Sequence, residues 1–371
     1  MIKTNYDIII IGAGVSGLIL ANEIIERTNK NILIIEKGKN KLINKNLCFW
    51  NQPSNILTTV AESSWENISI YIDGKRISLA SQGIKYLRIK SSNLRKFFIN
   101  KLRKKRNFTI LNNQNIESVT NDKINIYIKI KENIYSSKLL FDSRIEEDDT
   151  EKNGLLQHFY GIEVIFKKNI LNKGEVVLMD IQNKGNLFNF FYILPFSKNR
   201  ALIETTYFSQ KNLSLNEYKT DIKRYINKHF NGYEYKIKSY ETGIIPMFKY
   251  KRFNSHNHIK IGLAGNWVKQ STGYSLQNCF LYSKQLVDCI IKEQKPEIKE
   301  KRILNFLDKT FCIFIKNNPK KSKFFFENFF KRNNPEILVK FMTNSANIFQ
   351  IFRIIISLPK FHIIKSLLID K

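Results

Sequence analysis

Residues 6–37, YDIIIIGAGVSGLILANEIIERTNKNILIIEK, constrain this chain more than any other stretch. An apolar β-branched run to Ile11 is followed by the turn Gly12-Ala13-Gly14-Val15-Ser16-Gly17 and then by apolar residues at helical spacing. Glu36 closes the run NILIIE about 20 residues after the turn. A glycine triplet alone is weak, but set between a strand and a helix it is strong. Gly12 allows the tight turn, Gly14 lets backbone approach a pyrophosphate, and Gly17 lets the helix pack closely on the strand. The helix N-terminus offers free N–H groups and partial positive charge to phosphates. Glu36 suits the two hydroxyls of an adenosine ribose and disfavours a 2′-phosphate. The pattern predicts a dinucleotide site in a βαβ unit.

The remaining 300-odd residues of the 371 leave room for a second domain sharing a large core. Hydrophobic residues make up 43% with a mean hydropathy of −0.30, and no run approaches the ~20 apolar residues that span a bilayer. Met1 to Thr4 lead directly into the first strand, so no signal peptide is expected. Cys48, Cys279, Cys289 and Cys312 are scattered with no CxxC pair, which argues against zinc and disulfides and for a reducing compartment. The net charge of +29 raises nucleic acid as a partner. Lysine far outnumbers arginine, Asn and Ile are equally inflated, and no nucleic-acid motif accompanies the charge. Compositional drift explains it better, with anionic lipid as a secondary partner and no nucleic acid expected.

Along the chain, Val60 to Leu79 alternates as strands around a turn at Asp73-Gly74. Ser91 to Arg106 reads as a helix with Ser91 or Ser92 as the cap. Phe108 to Phe141 carries short strands, and Glu146 to Lys152 reads as a loop. NFFYILPF and RALIETTYF form a hairpin across Ser197-Lys198-Asn199. A helix over Asn212–Phe230 and a strand ending at Pro246 follow. At Ile259 a new strand, IKIGLAG, precedes a glycine-bearing turn and a helix to about Ile291, and the chain beyond Pro296 is helical.

A late strand–Gly–helix unit following an N-terminal fingerprint is the plan of FAD proteins of the p-hydroxybenzoate hydroxylase type. The expected fold is therefore α/β: a Rossmann-like FAD-binding domain, an inserted mainly antiparallel substrate sheet and a helical C-terminal region. The boundaries are 1–60 for the first FAD-binding part and 61–255 for substrate-domain strands with returns to the FAD domain. Residues 256–295 hold the late unit and 296–371 the helical region. Gly265, Ser271, Thr272 and Gly273 are the expected flavin-facing N–H donors, where a helix dipole favours a reduced, anionic ring.

Several further motifs resemble one family, the lycopene cyclases of the bacterial β-cyclase branch. They are Phe141-Asp142-Ser143-Arg144, Leu155 to Phe159 with Gly161, and Val177 to Asp180. Phe191 to Pro195, Ala201 to Thr206, Glu241 to Met247 and Gly262 to Gln277 complete the series. The chain departs from the pattern at Asn266-Trp267, at Gln270 and before Phe49-Trp50, and it carries a single Glu in its ExT motif.

The resemblance implies a redox-neutral ring closure: protonation of a ψ end of lycopene at C2, attack of C5=C6 on the C1 cation, and loss of the C6 proton. It implies Glu204 as general acid and Glu241 as base or cation stabiliser, with reduced FAD as cofactor and NAD(P)H as reductant. Asp142 and His158 are expected to be structural, and Trp50, Tyr192, Trp267 and Tyr274 are candidate π faces for the cation. Because carotenes dissolve in lipid, the resemblance also implies access from a membrane surface, with the protein in the bacterial cytoplasm and peripheral on the inner membrane. Ile348 to Leu368 suits an interfacial helix pair, or equally packing onto the first domain. The rival readings are a flavin monooxygenase or halogenase, and a non-catalytic membrane-associated flavoprotein.

Overall fold

The computed structural model describes residues 3–38, 44–51, 56–122, 124–145, 154–251 and 254–369. The expected loop over 146–152 lies outside them. Strand β1 (Lys3–Ile11) passes through the glycine turn into helix α1 (Val15–Arg27) and β2 (Ile32–Ile35). β3 (Asn46–Trp50), β4 (Ser63–Trp65), β5 (Asn67–Ile72), β6 (Lys75–Ser78) and β7 (Tyr86–Lys90) precede α2 (Ser91–Leu102). β8 (Phe108–Leu111), β9 (Ser118–Asn121), β10 (Ile126–Ile130) and β11 (Asn133–Asp142) follow. Four long strands come next: β12 (Leu156–Phe166), β13 (Glu175–Lys184), β14 (Leu187–Pro195) and β15 (Arg200–Ser209). After α3 (Leu215–His229) come β16 (Tyr235–Pro246), β17 (His258–Lys260) and α4 (Leu276–Ile291). The chain ends in α5 (Arg302–Asn317), α6 (Ser322–Lys331), α7 (Pro335–Met342), α8 (Ile348–Ser357) and α9 (Lys360–Ile369).

Two large sheets organise the molecule. The first runs β8-β2-β1-β11-β10-β9, with β17 beside β11, and its central strands are parallel. Ile8–Ile11 and Ile32–Ile35 are buried without a break, as strands covered on both faces must be. The second sheet runs β16-β12-β15-β14-β13-β5-β6 and is antiparallel except where β5 meets β13. This is the α/β fold of a Rossmann-like FAD-binding domain carrying a mainly antiparallel substrate sheet. The strands β8 to β11 belong to the nucleotide sheet, although in sequence they sit amid the inserted region.

Local detail follows the residues. Asp73 and Gly74 have φ of 51° and 72°, the paired positive values of a tight two-residue hairpin turn. Neither Ser91 nor Ser92 caps α2: the helix starts at Ser91 with Lys90 at the N-cap. The Ser91 hydroxyl instead accepts the Lys45 N–H at 3.1 Å, and the Ser92 hydroxyl donates to Asn44 at 2.7 Å. Both serines thus anchor the segment that leads into β3. The C-terminal helices lie over the second sheet, where Phe311, Phe325, Phe326, Phe329 and Phe330 pack against Phe188 and Phe208.

Candidate active site

The glycine turn is shaped as its sequence requires. Gly12 has φ of 100° and passes close to the Ser143 hydroxyl, and a side chain at Gly17 would collide with the Gly12 carbonyl. Gly14 differs: among the described residues, no heavy atom lies within 4 Å of where its Cβ would be. Gly14 also stands at the N-cap of α1, so open space lies in front of a helix N-terminus. Glu36 follows β2 and accepts N–H groups from Ala13 at 2.6 Å and Gly38 at 3.0 Å. Arg95, on α2, donates to the Ala13 carbonyl at 2.6 Å and adds a cation beside the turn. An open glycine cradle, a helix N-terminus, an acid and a guanidinium fit an adenine dinucleotide.

The second site comes from strand register. Tyr192, Glu204, Gly161 and Glu241 are direct partners across β14, β15, β12 and β16, so they form one row on one face of the sheet. The next row holds Phe190, Thr206, Phe159 and Gly243, and the one after it Phe188, Phe208, Gln157 and Ile245. Two glutamates far apart in sequence are thus separated only by Gly161, which contributes no side chain. A Cβ there would come within 3.1 Å of the Glu204 Cβ.

These rows form the floor of a cavity of about 630 Å³. Its roof is aromatic, with Phe311, Phe325, Phe326, Phe329, Phe330 and Phe341 from the C-terminal helices. Tyr86, Cys48, the 271–275 loop and residues of α8 and α9 complete the lining. The Tyr192 hydroxyl donates to Tyr86 at 3.1 Å, and burial pushes the Cys48 thiol up to about 12, which removes it as a nucleophile.

The two carboxyls differ in surroundings. Glu204 is held well above the ordinary carboxyl range by burial first and then by the charge of Glu241, with the Thr206 hydroxyl at 2.9 Å opposing weakly. Burial raises Glu241 too, but Asn46 donates to it from its backbone at 3.2 Å and its side chain at 2.9 Å. Arg88 supports Asn46 at 2.6 Å and pairs with Glu62 at 2.9 Å. Both carboxyls are raised and titrate as a pair, with Glu204 raised further because Asn46 and the charges of Arg88 and Lys45 ease the ionisation of Glu241.

The late glycine unit differs in detail from expectation. The Gly265 N–H donates to the Ile261 carbonyl, and its missing Cβ lets it lie on the Lys260 carbonyl. Thr272 and Gly273 both donate to the Lys269 carbonyl, at 3.3 and 2.9 Å, because the loop closes on itself. These three amides are therefore spent inside the unit. Ser271, Thr272 and Gly273 still line the cavity, whereas Gly265 does not. The Gln157 side-chain oxygen, adjacent to Gly273, is buried with no hydrogen-bond donor among the described residues, an acceptor left for a ligand.

Other residues fall where their surroundings put them. Trp267 is buried in the core beside Tyr282, away from the cavity lining, and Trp50 lies edge-on to Tyr86. Asp142 is buried and bonded by Arg144, His258 and Lys260; burial opposes its charge, but the bonds from His258 and Arg144 outweigh that and hold it low. His158 bridges Tyr218 at 2.6 Å and Ser209 at 2.7 Å under α3, on the far side of the sheet from the glutamates. Arg95, Asn46, Tyr86 and Gly161 border the two sites without being evident as candidates in the sequence. Only Gly161 carried a signal, a glycine inside a strand.

Among curated protein sequences none matches this chain. Solved structures share the fold at low identity. A geranylgeranyl bacteriochlorophyll reductase-like protein from Thermoplasma acidophilum is 13% identical with a TM-score of 0.65, over 98% of this chain and 99% of that one. A flavoprotein/dehydrogenase from Cytophaga hutchinsonii is 9% identical with a TM-score of 0.68, over 99% and 100%. A halogenase solved in complex with FAD is 10% identical with a TM-score of 0.58, over 94% and 82%. The sequence model described as lycopene cyclase protein matches residues 7–368, nearly end to end, and the chain belongs to that family.

Proposed function

We propose that this protein is an FAD-dependent lycopene β-cyclase. One observation carries the reading: two buried carboxyls of raised but unequal proton affinity flank a glycine on the floor of an aromatic, mainly apolar cavity. Protonating an alkene requires a neutral acid with no better base at hand. Glu204, buried and pressed by the charge of Glu241, holds its proton at neutral pH and delivers it to C2 of a ψ end. Glu241, whose ionised form the Asn46 donors favour, steadies the cation and accepts the C6 proton. Protons balance over the cycle once Glu241 returns its proton to Glu204. Tyr192 and Tyr86 line the cavity and would offer π density to the cation.

Gly12, Gly14, Gly17, Glu36 and Arg95 would hold the adenine end of FAD, and the turn Ser271-Thr272-Gly273 would border its flavin end, with the Gln157 side-chain oxygen as the open polar contact. When bound and reduced, with NAD(P)H as reductant, the flavin supplies negative charge that favours a cationic transition state. Substrate enters from a membrane surface on this reading, with the protein peripheral on the bacterial inner membrane. The support is that Ile355, Ile363 and Leu367 line the cavity while Phe349 and Phe361, on the same two helices, are 81% and 76% exposed. No helix of the described residues is long and apolar enough to cross a membrane.

The test is expression in a lycopene-accumulating bacterial host. Pigment turning from red to orange-yellow with unchanged molecular formula is the expected outcome. A flavin-loaded protein that leaves lycopene untouched, or one that consumes NAD(P)H and oxygen in proportion to product, would defeat the reading in favour of a monooxygenase or halogenase. Glu204→Gln should keep flavin and lose about 10²–10⁴-fold in ring formation.

A further inference from the structure

The 269–275 loop, whose residues 271–275 line the cavity, is tied to the C-terminal helices by a buried ion pair. The Lys269 side chain is 1% exposed. Its ammonium donates to both Asp308 oxygens, at 2.7 and 2.9 Å, and to the Asn344 side chain at 2.8 Å. It also lies 5.3 Å from the centroid of the Phe341 ring. Asp308, on α5, accepts the Ser271 hydroxyl at 2.6 Å as well. The main chain of Lys269 shapes the same loop: its N–H donates to the Tyr274 carbonyl at 2.8 Å, and its carbonyl takes the Thr272 and Gly273 amides. One residue thus closes the turn and anchors it.

The helices at the other end of the anchor carry the aromatic roof, with Phe311 on α5, Phe326 on α6 and Phe341 on α7. Stability alone does not account for such a pair, because an apolar pair of similar volume in a buried site often does as well or better. What charge-assisted bonds add is direction, fixing the loop against the helices at defined distances.

We propose that Lys269 and Asp308 form a positioning strut, through which a hydrocarbon lodged under the aromatic roof sets the shape of the Ser271–Tyr274 turn against the bound cofactor. Both residues act through the turn. The proposal rests on the reading that this turn faces the cofactor, so its test separates the two.

Asp308→Asn alone strands a buried cation and loses stability, so the informative variant is the double K269M/D308L, which replaces charge by apolar volume. Amide hydrogen exchange is followed in the flavin-free protein with and without lycopene, with lycopene binding read from its absorption band. In the wild-type chain lycopene should slow exchange across 271–274. In K269M/D308L lycopene should still bind and the melting temperature should hold, while the slowing is lost. Slowing that persists in the double variant overturns the strut, as does its absence from the wild type. A double variant that fails to fold overturns it also, by making the pair structural. The flavin absorption of the loaded wild-type protein is then followed on adding lycopene. No shift there, with the slowing present, removes the cofactor-facing reading and leaves the strut standing. In turnover by the loaded enzyme the double variant should lose kcat with KM nearly unchanged.

Discussion

Glu204 and Glu241 carry the same carboxyl opposite the same glycine, so any division of labour between them comes from their neighbours. Glu204 has one weak hydroxyl donor, whereas Glu241 has two N–H donors from Asn46. Infrared spectra should therefore show a protonated carboxyl persisting at neutral pH in the wild type and missing in Glu204→Gln. Glu241→Gln removes a nearby negative charge, so the carboxyl of Glu204 should then ionise at lower pH; a midpoint unmoved or raised would break the coupling. Gly161 makes the geometry possible. Gly161→Ala sets a methyl 3.0 Å from the Leu202 side chain and 3.1 Å from the Glu204 Cβ. It should cost about 1–3 kcal/mol by overpacking and reduce turnover further by displacing the acid. Alternation along the strand placed Glu204 on the face of Leu202 and Thr206 in the sequence alone. Its pairing with Glu241 was not legible there, because register between strands joined by a distant connection leaves no local trace.

Strand β12 serves two functions on two faces. Gln157 and Phe159 line the cavity with Gly161 on the same face of the strand, while His158, Tyr160 and Ile162 face α3. Burial lowers the His158 pKa to about 4, from an ordinary 6.5. The folded state thus binds the proton less tightly than the unfolded chain, so this contribution is complete above pH 6.5 and declines toward pH 4. It amounts to about 3 kcal/mol at most. Urea titrations at pH 7 and pH 4 should show a smaller acid loss in His158→Gln than in the wild type. Glu204 works in the opposite sense, since its raised pKa adds stability at low pH that is lost as pH rises, so only the difference between variant and wild type isolates His158. The elements themselves were largely legible: the first βαβ unit, the 187–209 hairpin and the late helix all follow from periodicity and turn residues. The assignment of β8 to β11 to the nucleotide sheet was not, because a short alternating strand looks alike in either sheet. The sequence of the late loop, set just before a helix, predicts free amide donors. Its amides turn inward because Lys269 closes the turn, a tertiary effect that depends on Asp308.

The charge of +29 and the apolar α8–α9 pair bear on the same question, whether this molecule meets a lipid surface. Charge alone would hold it by a force that salt removes, since the screening length falls from about 10 Å at 0.1 M to about 3 Å at 1 M. Exposed Phe349, Phe352, Ile356, Phe361 and Leu368 would add burial that salt does not weaken. If both act, sedimentation with anionic vesicles should fall with added salt to a plateau above zero, and neutral vesicles should bind at that plateau whatever the salt. F349D/F361D should abolish the plateau and spare the low-salt binding. Because both side chains are largely exposed, its stability should change by no more than about 0.5 kcal/mol per site. Binding that salt removes entirely would reduce the helix pair to a packing element. Binding indifferent to salt would leave the lysines as compositional drift with no part in docking. The expected plateau joins the two, because the residues that would enter the lipid lie on the same helices as Ile355, Ile363 and Leu367, which line the cavity. A docked molecule would thereby open its aromatic cavity toward the hydrocarbon it draws on, and F349D/F361D should raise KM for lycopene in vesicles while leaving turnover of detergent-dispersed lycopene near its wild-type rate.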